Sequence, residues 1–159
     1  MTNLPQIPFV SVNPCVAHAC SACCHDVEML LTDADLARIS AAHPGRDFHF
    51  VADDGYLQLR TRDGPPARGS HAAPGALPRP CTFLSEDGAC TIHAIRPEGC
   101  RLYPAVWDDA LRGAELDADY CPHTDGFRLP AATVDAVRRL ATKLEAERAA
   151  RAHGASNTL

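Results

Sequence analysis

The chain has 159 residues, a length that fits one domain, and a formal net charge of −5. Fourteen of its 15 basic residues are arginines, but they are scattered along the chain, which argues against a nucleic-acid partner. No apolar run approaches the roughly 18–20 residues that cross a bilayer, and residues 1–8 lack the basic start and apolar stretch of a secretory signal. These features predict a cytoplasmic protein with no membrane partner.

The first elements along the chain are an extended arm and a helix. Three prolines keep residues 1–14 out of helix. Thr32 can cap the first turn of a helix in which Leu36 and Ile39 form the buried face. Pro44 and the glycine after it end this helix.

Two short hairpins follow in the prediction. Segments 48–51 and 56–60 flank a turn with Gly55, which suits a positive φ. Segments 81–84 and 89–92 flank a second turn with the sequence Ser-Glu-Asp-Gly. The second hairpin would hold two cysteines close together on its arms.

The remaining segments complete a small, loop-rich α+β fold. Residues 63–80 are rich in Pro, Gly and Ala and predict an insertion, and residues 96–100 predict a short helical turn. A long C-terminal helix is predicted over 130–153, with Gly154 ending it. Its apolar residues at helical spacing are Val134, Val137, Leu140, Ala141 and Leu144. We therefore predict a single domain over 1–159, with two helices and two short hairpins organised around a cysteine metal site.

Eight cysteines carry the functional signal. They are Cys15, Cys20, Cys23, Cys24, Cys81, Cys90, Cys100 and Cys121. In a secreted protein an even number of cysteines suits a disulfide framework, whereas in a reducing compartment it indicates metal or redox chemistry. Metal binding is the favoured interpretation, and disulfides and inert buried thiols are the alternatives.

The first cysteine group has the spacing that metals use. Cys20 and Cys23 are separated by two residues, so their thiolates can converge on one side of a turn. Cys24 follows directly, and adjacent side chains are expected to diverge. Cys23 and Cys24 therefore suit different irons of one cluster better than a single tetrahedral ion.

The other four cysteines lie beside Pro or Gly, in turns that leave backbone N–H groups free to point at sulfur. Arg79, Arg96 and Arg101 are near them in sequence. Positive neighbours lower a thiol pKa and offset thiolate charge. The alternative is that these arginines are ordinary surface or ion-pair residues.

These motifs together resemble a known family. They are Cys20-x2-Cys23-Cys24, then Cys81-Thr82-Phe83-Leu84, then Gly88-Ala89-Cys90-Thr91-Ile92, then Arg96-Pro97-Glu98-Gly99-Cys100-Arg101-Leu102-Tyr103-Pro104. Over residues 9 to 125 the chain resembles the CxxCxxCC family of zinc- or iron-chelating domains. Through the same cysteine pattern it is similar to flagellin lysine N-methylases, which are associated with a [4Fe–4S] cluster.

The resemblance implies a cofactor and a ligand set. The cofactor would be an iron–sulfur cluster, of the 4Fe-4S type, or zinc. The implied ligands are Cys20, Cys23, Cys24, Cys81, Cys90 and Cys100, with Cys121 as a further ligand. Cys15 departs from the family pattern, since four residues separate it from Cys20. His18, His25, His93 and His123 stand near cysteines, and one of them could replace a cysteine at zinc. The alternative, which is commoner for a lone histidine, is a packing or solvent-facing residue.

Irregular spacing of the later cysteines favours a cluster over zinc, which usually takes two short-spaced pairs. No nucleotide-binding Gly-rich loop, His-Glu-x-x-His or Gly-x-Ser-x-Gly motif occurs. Asp108 and Asp109, which follow Trp107, could line a site, but they fit a solvated loop better. Electron transfer, metal delivery or protein modification at a working metal centre is one hypothesis. The alternatives are a structural or partner-binding zinc module and a thiol redox sensor.

Overall fold

The protein is described by a computed structural model over residues 15, 18–25, 28–62 and 79–156, with side chains as far as 153. Three α-helices and two antiparallel two-stranded hairpins lie in these ranges, which confirms the α+β class. In chain order they are α1 (Asp33–Ala42), β1 (His49–Val51), β2 (Leu57–Leu59), α2 (Glu98–Leu102), β3 (Ala105–Asp108), β4 (Gly113–Leu116) and α3 (Ala131–Ser156). The predicted arm 1–14 and residues 63–78 of the predicted insertion lie outside the described residues.

Helix α1 begins as its sequence predicts. The Thr32 hydroxyl accepts a hydrogen bond from the Asp35 backbone N–H at 3.0 Å. The Asp35 carboxylate in turn accepts from the Thr32 backbone N–H at 3.1 Å, so a complete capping box closes the first turn. After Ala42 the chain turns through Gly45, whose φ of +76° suits a residue without a side chain.

The first hairpin is confirmed and carries the centre of the core. Strand β1 pairs with β2 in the register His49↔Leu59 and Val51↔Leu57. On its other edge β2 bonds to the segment that follows the first cysteines, because the Leu59 N–H donates to Met29 O and the Leu31 N–H donates to Leu57 O, each at 2.9 Å. This pairing anchors that segment in the core.

The second predicted hairpin is reduced to a tight turn. Segments 81–84 and 89–92 form no regular strand pair; Leu84 and Cys90 make an isolated antiparallel bridge, and Gly88 turns with a φ of +82°. The second hairpin is instead β3–β4, in the register Ala105↔Leu116. Sequence reasoning missed it because β4 has no β-branched or aromatic residue, and because the turn before it places Arg112 at a φ of +49°.

The helices are three rather than the predicted two, because residues 98–102 complete a short helix, α2. The prediction that Gly154 ends the C-terminal helix is wrong, since α3 continues to Ser156. One glycine costs a helix only about 1 kcal/mol and does not have to end it. None of the helices in the described ranges is both long enough and apolar enough to cross a membrane.

Two apolar clusters form the core. The first joins α1, the β1–β2 hairpin and the tight turn; its members are Met29, Leu31, Ile39, Phe48, Leu57, Leu59, Phe83 and Ile92. The second joins α3 to α2 and β3 through Leu102, Ala105, Val137, Leu140 and Leu144. Cys81, Cys90 and Cys100 are partly buried against the first cluster, so this cluster supports one wall of the cysteine region.

Candidate metal centre

Seven of the eight cysteines line one cavity of about 400 Å³. They are Cys15, Cys20, Cys23, Cys24, Cys81, Cys90 and Cys100. They come from three parts of the fold: the segment before α1, the tight turn after the 63–78 gap, and helix α2. All eight cysteines are free thiols.

Backbone hydrogen bonds bring these segments together. The Cys81 N–H donates to Cys24 O at 2.7 Å, which fixes the tight turn against the first cysteine group. Cys81 also forms a bridge with Thr61, next to β2. Cys81 and Cys24 are therefore held at neighbouring positions although 56 residues separate them in sequence.

Cys23 and Cys24 do not diverge as their adjacency predicts. Both lie in a 3₁₀ turn, Ala22–Cys24, and both line the cavity. Their thiols form a hydrogen bond, which lowers the pKa of Cys23 to about 7 and raises the pKa of Cys24. The tight 3₁₀ turn places two donor sulfurs on the same side of the segment.

One group of thiols is linked by mutual electrostatic effects around Cys100. Burial raises the pKa of Cys100 well above its usual value, and repulsion from Cys81, Cys23 and Cys90 raises it further. Burial also raises the pKa of Cys81, with Cys90 and Cys23 contributing. A cation placed among these sulfurs would relieve both effects.

A second set of neighbouring thiols surrounds Cys15 and shares Cys23 with the set around Cys100. Burial raises the pKa of Cys15 to about 11, and the thiols of Cys23, Cys121 and Cys20 add to the rise. Cys121 is buried but does not line the cavity; burial is also the main cause of its raised pKa. Both outer candidates, Cys15 and Cys121, thus lie in the neighbourhood of Cys20 and Cys23.

Backbone N–H groups do point at sulfur in two of the predicted turns. The Phe83 N–H donates to Cys81 Sγ at 3.5 Å. The His123 backbone N–H bonds to Cys121 and lowers its pKa against the effect of burial. Such bonds stabilise thiolate over thiol.

The cavity has cationic but no carboxylate lining among the described residues. Arg60, Arg96 and Arg101 line it together with His93. Arg96 opposes the rise in the Cys100 pKa, while Arg79 is not part of the lining. In a chain with 20 acidic residues, this composition favours a ligand centre that carries negative charge.

Asp35 holds the α2 wall in place and was missed as a site residue. Its carboxylate is buried, and it accepts hydrogen bonds from the Glu98 N–H at 3.1 Å and from Arg38 Nη2 at 2.5 Å. Arg38 also donates to the carbonyls of Ile95 and Arg96. The capping box of α1 therefore also fixes the chain that leads to Cys100.

Tyr103 belongs to the sequence motif 96–104, but the sequence assigned it no role. Its side chain lines the cavity, and its hydroxyl donates to Asp117 Oδ2 at 3.1 Å. Burial and Asp117 raise the Tyr103 pKa, and Cys121 adds to the effect. Tyr103 thus links the cavity to the segment that carries Cys121.

The histidines near the cysteines occupy different surroundings. His93 lines the cavity, and its Nδ1 is 3.2 Å from Arg96 Nη1. His25 Nδ1 is 3.0 Å from the Ser21 carbonyl oxygen and is outside the lining. The rings of His18 and His123 stack with centroids 4.1 Å apart, which brings the Cys20 and Cys121 segments together.

The donor chemistry of the cavity fits a soft metal or a cluster, because thiolates are the ligands that zinc and iron–sulfur clusters prefer. Among the described residues, no group of three or more Cys, His, Asp or Glu side chains is arranged to hold a metal ion as it stands. Because burial keeps several of these thiols protonated, a metal that replaces the protons would bind more weakly as the pH falls.

Fold and site together define a small α+β domain with a cysteine-lined cavity. The family model that matches residues 14–123 is CxxCxxCC, described as a "putative zinc- or iron-chelating domain". Since this match covers more than half of the chain, the protein belongs to the CxxCxxCC family. No curated protein and no solved structure matches the chain. The similarity to flagellin lysine N-methylases stays a prediction.

Gly88 offers a test of the turn beside Cys90. It lines the cavity at a φ of +82°, so Gly88→Ala should cost about 1 kcal/mol of unfolding free energy. Gly113→Ala is the matched control, because that residue has no positive φ and its nearest contact would be an ordinary 3.8 Å. Urea denaturation of both variants measures the difference; equal effects would contradict the strained turn.

Proposed function

We propose that the cysteines of this chain bind an iron–sulfur cluster of the 4Fe-4S type, used for redox or protein-modification chemistry. The observation that carries the proposal is the cavity of about 400 Å³ lined by seven cysteines. The ligands in this proposal come from six cysteines of the lining, of which a 4Fe-4S cluster takes four, one for each iron: Cys20, Cys23, Cys24, Cys81, Cys90 and Cys100. Cys15 and Cys121 are outer ligands or supporting thiols.

The adjacent cysteines Cys23 and Cys24 support a cluster over a bare ion. A zinc site brings four ligand atoms to about 2.0–2.3 Å from one point, whereas a cluster fills the space between its cysteines with iron and sulfide. Cys23 and Cys24 both line the cavity, and two adjacent residues suit different irons of one cluster better than one tetrahedral ion. Bound there, the cluster would supply a one-electron redox centre.

The arginines have a role in this proposal, which is to offset the negative charge of a thiolate-bound cluster. Arg101 is half-buried in the cavity wall, where its Nη2 donates to the Ala94 carbonyl at 2.8 Å. Arg101→Gln removes the charge and keeps a donor. We expect the reduction potential to become more negative, by an amount on the order of 1 kcal/mol per electron.

Potentiometric titration of the purified protein measures this shift. Arg139→Gln is the control, since Arg139 is exposed on α3 and lines no part of the cysteine cavity. An equal shift in both variants would contradict a local role for Arg101.

A zinc-binding structural or partner-binding module is the second candidate. Four thiols that lie near one another support it. The thiols of Cys20, Cys23 and Cys121 are close enough to Cys15 to raise its pKa. Four cysteines are the ligand set of many structural zinc sites, and such sites hold loop-rich folds together. In this case the domain would have no catalytic activity, and a protein partner would bind its surface.

The optical spectrum of anaerobically purified protein separates the two candidates. A cluster gives a brown protein with a broad absorbance at about 400 nm that dithionite bleaches. Zinc gives a colourless protein that loses its fold when the metal is chelated. A reversible thiol sensor would give free thiols and no stoichiometric metal, which would overturn both. The proposal places the chain in a reducing, cytoplasmic environment, where thiol ligands persist.

A further inference from the structure

We propose that a second cavity, between α3 and strand β3, binds a small organic cation with an aliphatic body, of the alkylammonium class. This cavity has a volume of about 560 Å³, which is in the usual range for small-molecule sites. It lies outside the cysteine cavity, although Met29 lines both.

The walls of the second cavity suit an aliphatic body. Helix α3 contributes Val137, Leu140 and Leu144, and β3 contributes Val106 and Trp107. The aliphatic side chains among these offer a chain of methylene groups an apolar surface, and the polar part of the lining includes Arg138, Thr142 and Glu145 of the same helix. The half-buried Trp107 ring adds an aromatic face, which attracts cations.

The charged residues of this cavity favour a positive ligand. Glu28 and Asp109 are exposed lining residues, and neither carboxylate has a salt-bridge partner in the part of the chain that the structure describes. Asp109 accepts a hydrogen bond from Trp107 Nε1 at 3.0 Å, which places that carboxylate at the edge of the indole ring.

The other charges of the lining are already compensated. Arg138 is held by Asp135 at 2.6 Å, and Glu145 is paired with Arg148 and accepts from the Tyr56 hydroxyl. The uncompensated charge of the lining is therefore negative, and it lies next to an apolar space. A cation with an aliphatic body complements both features.

Trp107 reports directly on this cavity, because it is the single tryptophan of the chain. Its fluorescence is followed while the purified protein is titrated with hexylammonium, hexanol or hexanoate, which share an aliphatic chain and differ in charge. We expect a saturable change with hexylammonium, binding at least about fivefold weaker for hexanol, and none for hexanoate. Equal binding of amine and alcohol, tighter binding of hexanoate, or no saturable change with any probe would overturn the proposal.

Variants assign the binding to the two carboxylates. Glu28→Gln combined with Asp109→Asn should weaken hexylammonium binding about fivefold to tenfold and leave hexanol binding unchanged. Asp53→Asn, in the exposed turn of the first hairpin, is the control and should change neither. An emission that depends on protein concentration without any probe would show a second copy of the chain in the cavity, and this too would overturn the proposal. Metal content, measured in the same samples, keeps the result separate from the function of the cysteines.

Discussion

Cys100→Ser is expected to abolish stoichiometric metal binding, with a loss of affinity of more than about 100-fold. Cys100 lies on α2, and its thiol is under the influence of Cys81, Cys23 and Cys90 at once. A serine hydroxyl stays protonated at neutral pH and is a poor ligand for iron or zinc. Metal per chain in the purified variant, compared with the unchanged protein, measures the loss.

Ser21→Ala is the matched control for this experiment. Ser21 also lines the cavity and stands between Cys20 and the 3₁₀ turn, but its hydroxyl is not among the implied ligands. We expect it to keep its metal. Full metal content in Cys100→Ser would remove Cys100 from the ligand set, and equal loss in both variants would indicate general damage to the cavity.

Asp35→Ala is expected to lower the unfolding free energy by about 2–4 kcal/mol, because it removes a helix cap and a buried ion-pair partner together. The carboxylate accepts hydrogen bonds from both the backbone and the hydroxyl of Thr32, from Arg38 and from the Glu98 N–H. Without it these donors are left in a buried region, where unsatisfied groups are costly. Urea denaturation measures the change.

Asp33→Ala separates this effect from the simple loss of an acidic residue in the first turn of α1. The Asp33 side chain is 61% exposed and pairs with Arg151 at 2.6 Å, so its removal should cost less than about 1 kcal/mol. If the two variants lose the same free energy of unfolding, the hydrogen bonds buried around Asp35 do not stabilise the protein more than an exposed ion pair does. Because Asp35 also positions the N-terminus of α2, we expect its variant to lose metal more readily than Asp33→Ala.

Elements fixed by local chemistry could be predicted from the sequence. The Thr32 cap and the Gly55 turn depend on residues within one turn of the chain, and both are found where they were expected. The β3–β4 hairpin could not be predicted in this way. Its second strand packs against α3, a contact that the residues of the strand do not reveal, and its own β propensity is low.

The site shows the same division. The number and spacing of the cysteines predicted a shared region for them. Which cysteines lie near one another depends on contacts between distant segments, such as that of Cys81 with Cys24. Asp35 could not be recognised because its partner Glu98 is 63 residues away. Arg60 lines the cavity and was missed, whereas Arg79 is not in the lining, since nearness in sequence does not decide which side chains reach the cavity.

Elemental analysis of the anaerobically purified protein tests the central claim, that these cysteines hold a metal centre, most directly. We expect stoichiometric metal, which is about four irons per chain for a 4Fe-4S cluster or about one to two zinc ions for the alternative. At least the four ligand thiols, of the eight in the chain, should then resist alkylation until the metal is removed. A protein that contains no stoichiometric metal, and whose thiols all react at once, would contradict the account.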